Sequence, residues 1–191
     1  MINGLTVLAV IPARGGSKRC PRKNILPFRG KPLLQWTVEA AKACSHIDHI
    51  VLSSDDPEIL ALGVLLDVHS VERPGYLAHD TAKSEDTLRH TLAWYPHDYV
   101  VLLQPTSPYR LASDIERCLQ IAVRERQPVV SYSQSVIKHG GKNGAVYVCK
   151  SEWLKTNDFS NPDHYHYLMP DERSLDIDFP KEFEIGEIRT S

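Results

Sequence analysis

The apolar positions of this chain fall in short unbroken runs, not in strict alternation. Residues 5–11 (LTVLAVI) are continuously apolar and end at Pro12, the pattern of a strand covered on both faces of a parallel sheet. Residues 99–103 (YVVLL) repeat it, and 49–53, 128–133 and 145–148 read as further short strands. Helical spacing appears between them. Leu34, Val38 and Ala41 follow Pro32, placed where a first helical turn begins. A helix is expected over 57–66, and Ser84, followed by Glu85 and Asp86, reads as the N-cap of another. Ser113 and Glu116 read as a capping box, with Ile115, Cys118, Leu119 and Ala122 on one helical face. Strands alternating with helices predict an α/β fold, a single doubly wound, mainly parallel sheet flanked by helices. Residues 1–191 read as one domain.

Charge and cysteines narrow the partners. The 191 residues carry a net charge of −2, which argues against nucleic acid or a membrane surface as partner. No apolar run approaches the roughly 20 residues that span a bilayer, and residues 1–11 enter a strand without a basic leader. Cys20, Cys44, Cys118 and Cys149 lie far apart, with neither zinc-finger spacing nor a disulfide framework. A cytoplasmic location is expected. His164 and His166 flank Tyr165 without acidic or thiolate partners at metal spacing and read as a solvated loop. Residues 139–142 read as a flexible connection.

In doubly wound sheets ligands bind beyond the carboxyl ends of the strands. The segment after the first strand is the richest there. Arg14, Lys18, Arg19, Arg22 and Lys23 place five cations within ten positions, beside Gly15 and Gly16. Glycines let backbone N–H groups approach an anion, and such a field suits a nucleoside triphosphate. The segment is neither a Walker A loop nor G-x-G-x-x-G.

IPARGGSKRCPRKN with the GKPLL after it resembles the signature of cytidylyltransferases that make CMP-activated sialic acids and related nonulosonic acids. SSDDPEI (53–59), RPGYLAHD (73–80), LQPTSPYR (103–110), NGAVY (143–147) and DIDFPKEF (176–183) follow in the same order. The resemblance implies that CTP is bound by Ala13 and Asn24 with Arg73 toward cytosine and ribose, and by Arg14, Ser17, Lys23 and Ser84 toward the triphosphate. Lys23 would contact the α-phosphate. A surface ion pair for Arg73 and simple capping for Ser84 are the competing readings. It assigns the sugar acceptor to Gln104, Thr106, Ser107 and Asn143, residues that also suit a stiff turn. Asp176 and Asp178 alternate along an extended segment and can face one site, the donor chemistry Mg²⁺ prefers with phosphate oxygens and water. The resemblance implies a metal there, with Asp178 assisting as general base and Lys23, Asp178 and Arg14 carrying catalysis. Asp55 and Asp56 read as helix capping at the ligand edge.

One stretch departs from the family pattern. About ten residues separate Ser131 from Asn143, where relatives of this kind carry a longer arm that supports a homodimer and brings basic residues to the sugar carboxylate. Lys138 and Lys142 are the cations left there. Either a partner chain or the segment 150–173 completes the acceptor pocket, or the acceptor differs: an eight-carbon acid or a phosphonate. A nucleotide-binding relative without turnover is the reading from another class, and intact Lys23, Asp176 and Asp178 speak against it.

Overall fold

Val7, Ala9 and Ile11 point to one side of the first strand, Leu8 and Val10 to the other, and all five are completely buried. Such a strand has to lie inside a sheet with both faces covered. The structure, a computed structural model, describes residues 1–134 and 141–188. In chain order the elements are β1 (Val7–Pro12), β2 (Pro27–Phe28), β3 (Lys31–Pro32), α1 (Leu33–Lys42), β4 (His49–Ser54), α2 (Pro57–Leu65) and β5 (His69–Glu72). There follow α3 (Ser84–Trp94), β6 (Tyr99–Leu102), α4 (Ala112–Glu125), β7 (Val129–Ser133), β8 (Lys142–Lys150), β9 (Tyr165–Met169) and α5 (Pro180–Ile188). Seven strands make one sheet in the order β5-β4-β1-β6-β8-β7-β9. β8 runs antiparallel to both its neighbours, while β5–β4–β1–β6 and β7–β9 pair in parallel.

The two faces carry separate apolar clusters. Val7, Ala9 and Ile11 pack with Leu34 and Val38 of α1, Ile59 of α2 and Ile115, Cys118 and Leu119 of α4. Leu8, Val10, Val100 and Leu102 pack with Leu88 of α3 and with Leu154 and Phe159 from the segment after β8. The mainly parallel α/β sheet flanked by helices is therefore as the sequence pattern predicts. From β1 the chain builds outward through β4 to β5, then returns to place β6 on β1's other side. Strand order reverses between β1 and β6, and a crevice opens beyond their carboxyl ends.

Several local expectations change. Pro32 closes the short β2–β3 hairpin and precedes α1 instead of entering it. Ser84 begins α3 with Lys83 at the cap position, and no side-chain capping bond forms there. Ser113 and Glu116 do not box the start of α4. Asp114 does this work by accepting the Leu111 N–H at 3.0 Å, while Glu116 faces Ser45. Residues 145–148 lie within the longer, antiparallel β8. His166 lies within β9 and His164 immediately precedes it, so the pair does not sit in a solvated loop. His164 is half-buried with both ring nitrogens engaged, Nε2 with the Tyr132 hydroxyl at 2.8 Å and Nδ1 with the Asn161 carbonyl at 2.7 Å. Of the expected flexible connection, 139–140 and Lys138 lie outside the described residues, and Lys142 opens β8.

Arg110 ties the middle of the sheet to the crevice. Its fully buried guanidinium donates to the Ala145 carbonyl (2.6 Å), the Thr37 hydroxyl (3.0 Å) and the Gln104 carbonyl (2.6 Å). Burial lowers its pKa to about 9, and Asp114 and Asp176 oppose that shift. One side chain thus joins β8, α1 and the loop after β6. Lysine offers no planar fork and cannot make all three contacts. Arg110→Lys is expected to lose about 2–4 kcal/mol, the usual cost of breaking a buried polar network. A urea titration measures the loss, and an unshifted midpoint would contradict this account.

Candidate active site

The polar crevice beyond β1 and β6 encloses about 320 Å³, and its walls include Arg14, Ser17, Lys23, Asn24, Arg73, Ser84, Gln104, Thr106, Asp176 and Asp178. Residues from five separate stretches of sequence meet there. A hollow of about 450 Å³ at the opposite ends of β4 and β5 is lined by Lys42, Asp48, His49, Asp67 and His69 among others, and no comparable set of cations converges on it.

The loop after β1 is held by backbone and carboxylate contacts. Ala13 donates its N–H to the Ser53 carbonyl at 2.9 Å, extending the β1–β4 ladder by one residue. Gly15 donates to Asp55 Oδ1 at 3.1 Å, and an added Cβ there would collide with the Asp56 side chain. Only glycine allows that approach. Asp56 does cap α2, accepting from the N–H groups of Glu58 and Ile59. Asn24 is buried and gives its amide to the Arg14 carbonyl at 3.0 Å, so it shapes the loop from within.

The cations are matched by carboxylates. Lys23 Nζ lies 2.5 Å from Asp178 Oδ1 and 3.1 Å from the Ile177 carbonyl. Arg19 reaches the other oxygen of Asp178 at 3.1 Å. Arg14 pairs with Asp80 at 2.6 Å, and Lys18 pairs with the same carboxylate. These two ammonium and guanidinium contacts, Lys18 first, hold the Asp80 carboxyl below its ordinary range. Asp80 closes the RPGYLAHD stretch. Its place in that stretch was the available signal, and chain order alone could not show that it faces Arg14.

Arg73 is buried. Its Nη1 donates to Thr87 Oγ1 at 3.0 Å, its Nη2 is 4.0 Å from Asp55, and Nε and Nη2 have no hydrogen-bond partner. Burial pulls its pKa down. It is thus no surface ion pair but a desolvated guanidinium with N–H groups to spare at the cavity wall.

Asp176 and Asp178 reach the cavity because Ile177 between them is fully buried against Phe28 and Leu33. The Ile177 N–H also donates to the Thr106 carbonyl at 2.8 Å. With the middle residue inward, both carboxylates turn to the same side. Glu182 then accepts from the N–H groups of Asp178 and Phe179, fixing the start of α5. Burial raises the Asp176 pKa to about 6; Thr106 opposes that, the Asp178 charge adds to it, and Lys23 opposes it. Its Oδ1 is buried with no partner. Among the described residues no cluster of three or more metal-ligating side chains forms. An orphaned carboxylate oxygen beside a second carboxylate suits Mg²⁺, which takes few protein ligands and fills its shell with phosphate oxygens and water.

Two expected acceptor contacts are structural instead. Asn143 is buried, and its amide is fully engaged: Oδ1 accepts from Ser131 Oγ (2.6 Å) and Ala145 N (3.1 Å), while Nδ2 donates to Ser174 Oγ (3.0 Å) and faces Met169 Sδ. Ser107 is completely buried and donates to the Asn143 carbonyl at 3.3 Å. The Asn143 amide has no capacity left for a ligand, and Ser107 has its O–H committed and no exposed surface. Gly144, at φ +74°, leaves no room for a Cβ because Gln104 Oε1 would lie 2.5 Å from it. Gln104 and Thr106 remain on the cavity wall.

A mainly parallel α/β sheet with a basic loop, a buried arginine and paired carboxylates at its switch point defines a nucleotide-binding transferase class. Residues 8–159 match the cytidylyltransferase family model, and the chain belongs to that family. It is 30% identical to the N-acylneuraminate cytidylyltransferase of Escherichia coli O18:K1:H7 over 94% of this chain and 51% of that protein. It is 31% identical to the CMP-N,N'-diacetyllegionaminic acid synthase of Legionella pneumophila over 96% of this chain and 95% of that protein. The chain therefore spans about half of the first relative and nearly all of the second. A solved structure of CMP:2-keto-3-deoxy-manno-octonic acid synthetase with CTP superposes with a TM-score of 0.79 at 15% identity, over 95% of this chain and 97% of that one, which shows the shared fold.

The buried Asp176 carboxylate makes folding depend on pH. Its raised pKa means that ionisation costs stability. The cost is complete above about 6 and absent below the ordinary value of 3.8, where the group is protonated in both states. Asp176→Asn in EDTA is expected to raise stability by about 2 kcal/mol at pH 8 and to leave it unchanged at pH 3.5. Thermal melts at the two pH values check this, and equal shifts at both would refute it.

Proposed function

We propose that the chain transfers CMP from CTP to the anomeric hydroxyl of a sialic-acid-like nonulosonic acid, releasing pyrophosphate in a Mg²⁺-dependent reaction. The observation that carries this reading is one cavity where Arg14, Lys23 and Arg73 meet Asp176 and Asp178. The names of the Escherichia and Legionella relatives support the choice of acceptor.

The spare N–H groups of Arg73 suit the oxygen acceptors of cytosine or ribose. Arg14, Ser17 and Ser84 would receive the β- and γ-phosphates, with the N-terminus of α3 adding its dipole. Lys23 would hold the α-phosphate. Triphosphate oxygens compete with Asp178 for Lys23 and with Asp80 for Arg14, so nucleotide binding frees the Asp178 carboxylate. The anomeric oxygen attacks the α-phosphorus in line, the new O–P bond forms, and the α–β bridging bond breaks to release pyrophosphate. Asp178 accepts the hydroxyl proton directly or through water. Asp176 and Asp178 would hold Mg²⁺, which when bound stabilises charge on the α-phosphate and makes the attacking hydroxyl more acidic. Buried free thiols at Cys20, Cys44, Cys118 and Cys149 suit the reducing cytoplasm. No helix among the described residues is long and apolar enough to cross a membrane.

Pyrophosphate release from CTP and Mg²⁺ with a panel of acceptors tests the reaction. Release is expected with a nine-carbon acid, and little with ATP or UTP in place of CTP. Release only with the eight-carbon acid or an aminoalkylphosphonate would overturn the acceptor and leave the CTP site standing. Asp178→Ala should abolish turnover with CTP binding largely kept, whereas Arg14→Ala should weaken CTP binding as well. Full activity of Asp178→Ala would remove that carboxylate from the mechanism.

A further inference from the structure

Beside the nucleotide cavity lies a second of about 270 Å³, which shares Lys83, Ser84 and Gln104 with it and continues to Lys142, Tyr147 and Phe159. Its outer wall is the turn at 158–160, supplied by the segment after β8. That wall is firmly anchored. Phe159 is 2% exposed, its ring centroid sits 5.1 Å from Tyr147 and 5.4 Å from Trp153, and its N–H donates to Glu85 Oε1 at 2.9 Å. The chain thereby builds this wall from its own segment after β8.

Two ammonium groups, Lys83 and Lys142, and two carboxylates, Glu85 and Asp158, border this second cavity, and the partners of the two lysines differ. Lys83 Nζ lies 2.8 Å from Asp158 Oδ2. Lys142 Nζ donates to the backbone carbonyl of Phe159, and among the described residues no carboxylate lies within ion-pair distance of it. A neutral carbonyl leaves Lys142 without an ion pair among the described residues, next to a floor of Leu102, Tyr147 and Phe159, with Asp158 held by Lys83 and Glu85 by the Phe159 N–H. An anionic group on the occupant of this cavity meets Lys142 directly.

We propose that Lys142, assisted by Lys83 across the cavity, seats the carboxylate of the sugar-acid acceptor and selects acidic over neutral sugars. This rests on the sugar-acid reading above and assigns the residue that makes the acid group a requirement. Gln104 then lies between the two cavities, within reach of both the nucleotide and the acceptor hydroxyls. Asp158 competes with the acceptor for Lys83 but has no hold on Lys142, which makes Lys142 the specificity-determining residue of the pair.

The test compares the parent, Lys142→Gln and Lys142→Arg, using the nine-carbon acid that supports pyrophosphate release and its methyl ester. A charge-assisted contact of this kind predicts that Lys142→Gln raises KM for the acid about tenfold or more, with KM for CTP within twofold of the parent. Lys142→Arg should recover much of the loss, and parent and Lys142→Gln should use the ester equally poorly. A purely structural role would lower activity on acid and ester alike, and that result overturns the proposal. Unchanged KM for the acid in Lys142→Gln, with turnover intact, overturns it while leaving the proposed reaction in place. Absence of release with every acid, CTP still binding to the parent, overturns the sugar-acid reading and the carboxylate seat together.

Discussion

The buried guanidinium of Arg110 is the interaction on which the site depends. A cation removed from water must satisfy its N–H groups internally, and this one does so on three elements at once: Ala145 of β8, Thr37 of α1 and the carbonyl of Gln104. The loop after β6 is therefore not free to move. Thr106 in that loop accepts the Ile177 N–H, and Asp176 and Asp178 take their orientation from Ile177. A single buried charge thus fixes the loop after β6 on one side of the crevice and, one hydrogen bond further on, the carboxylate pair.

The opposite wall is organised by surface charge. Arg14, Lys18, Arg19 and Lys23 would repel one another if left bare, and Asp80 and Asp178 meet them. Such partly exposed pairs contribute modestly to stability. Their value is positional. They hold the cations at the crevice in an arrangement that phosphate oxygens, carrying more charge and more acceptor atoms, can take over. Arg73 differs because its burial leaves donor groups unpaired at the cavity wall, a cost that a complementary ligand recovers.

The same logic separates the two cavities. Around the nucleotide crevice nearly every charge has a counter-charge within the chain. In the second cavity Lys142 donates to a carbonyl and, among the described residues, has no ion pair. The turn at 158–160 brings a wall and two lysines to the same place. Asn143 and Ser107, by contrast, serve the framework: Ser131, Ala145 and Ser174 saturate the Asn143 amide, and the buried Ser107 hydroxyl donates to the Asn143 carbonyl.

How much was legible in sequence follows from burial. The strands that lie inside the sheet, β1, β4, β6 and β7, show as apolar runs because both their faces are covered. The strands of the seven-stranded sheet that the pattern missed, β5 and β9, are its two edges. His69–Glu72 and Tyr165–Met169 are half covered and carry polar residues that read as loop. Order along the chain also determined the family, the basic loop, Arg73 and the Asp-Ile-Asp pair, since each is a local pattern whose chemistry survives without coordinates. Only the tertiary structure decided which polar residues were already spent. Asn143 and Asp80 each sit in a family-like motif, yet one is saturated inside the fold and the other faces Arg14. Hydrogen bonds between residues far apart in sequence draw that distinction, and no local spacing encodes them.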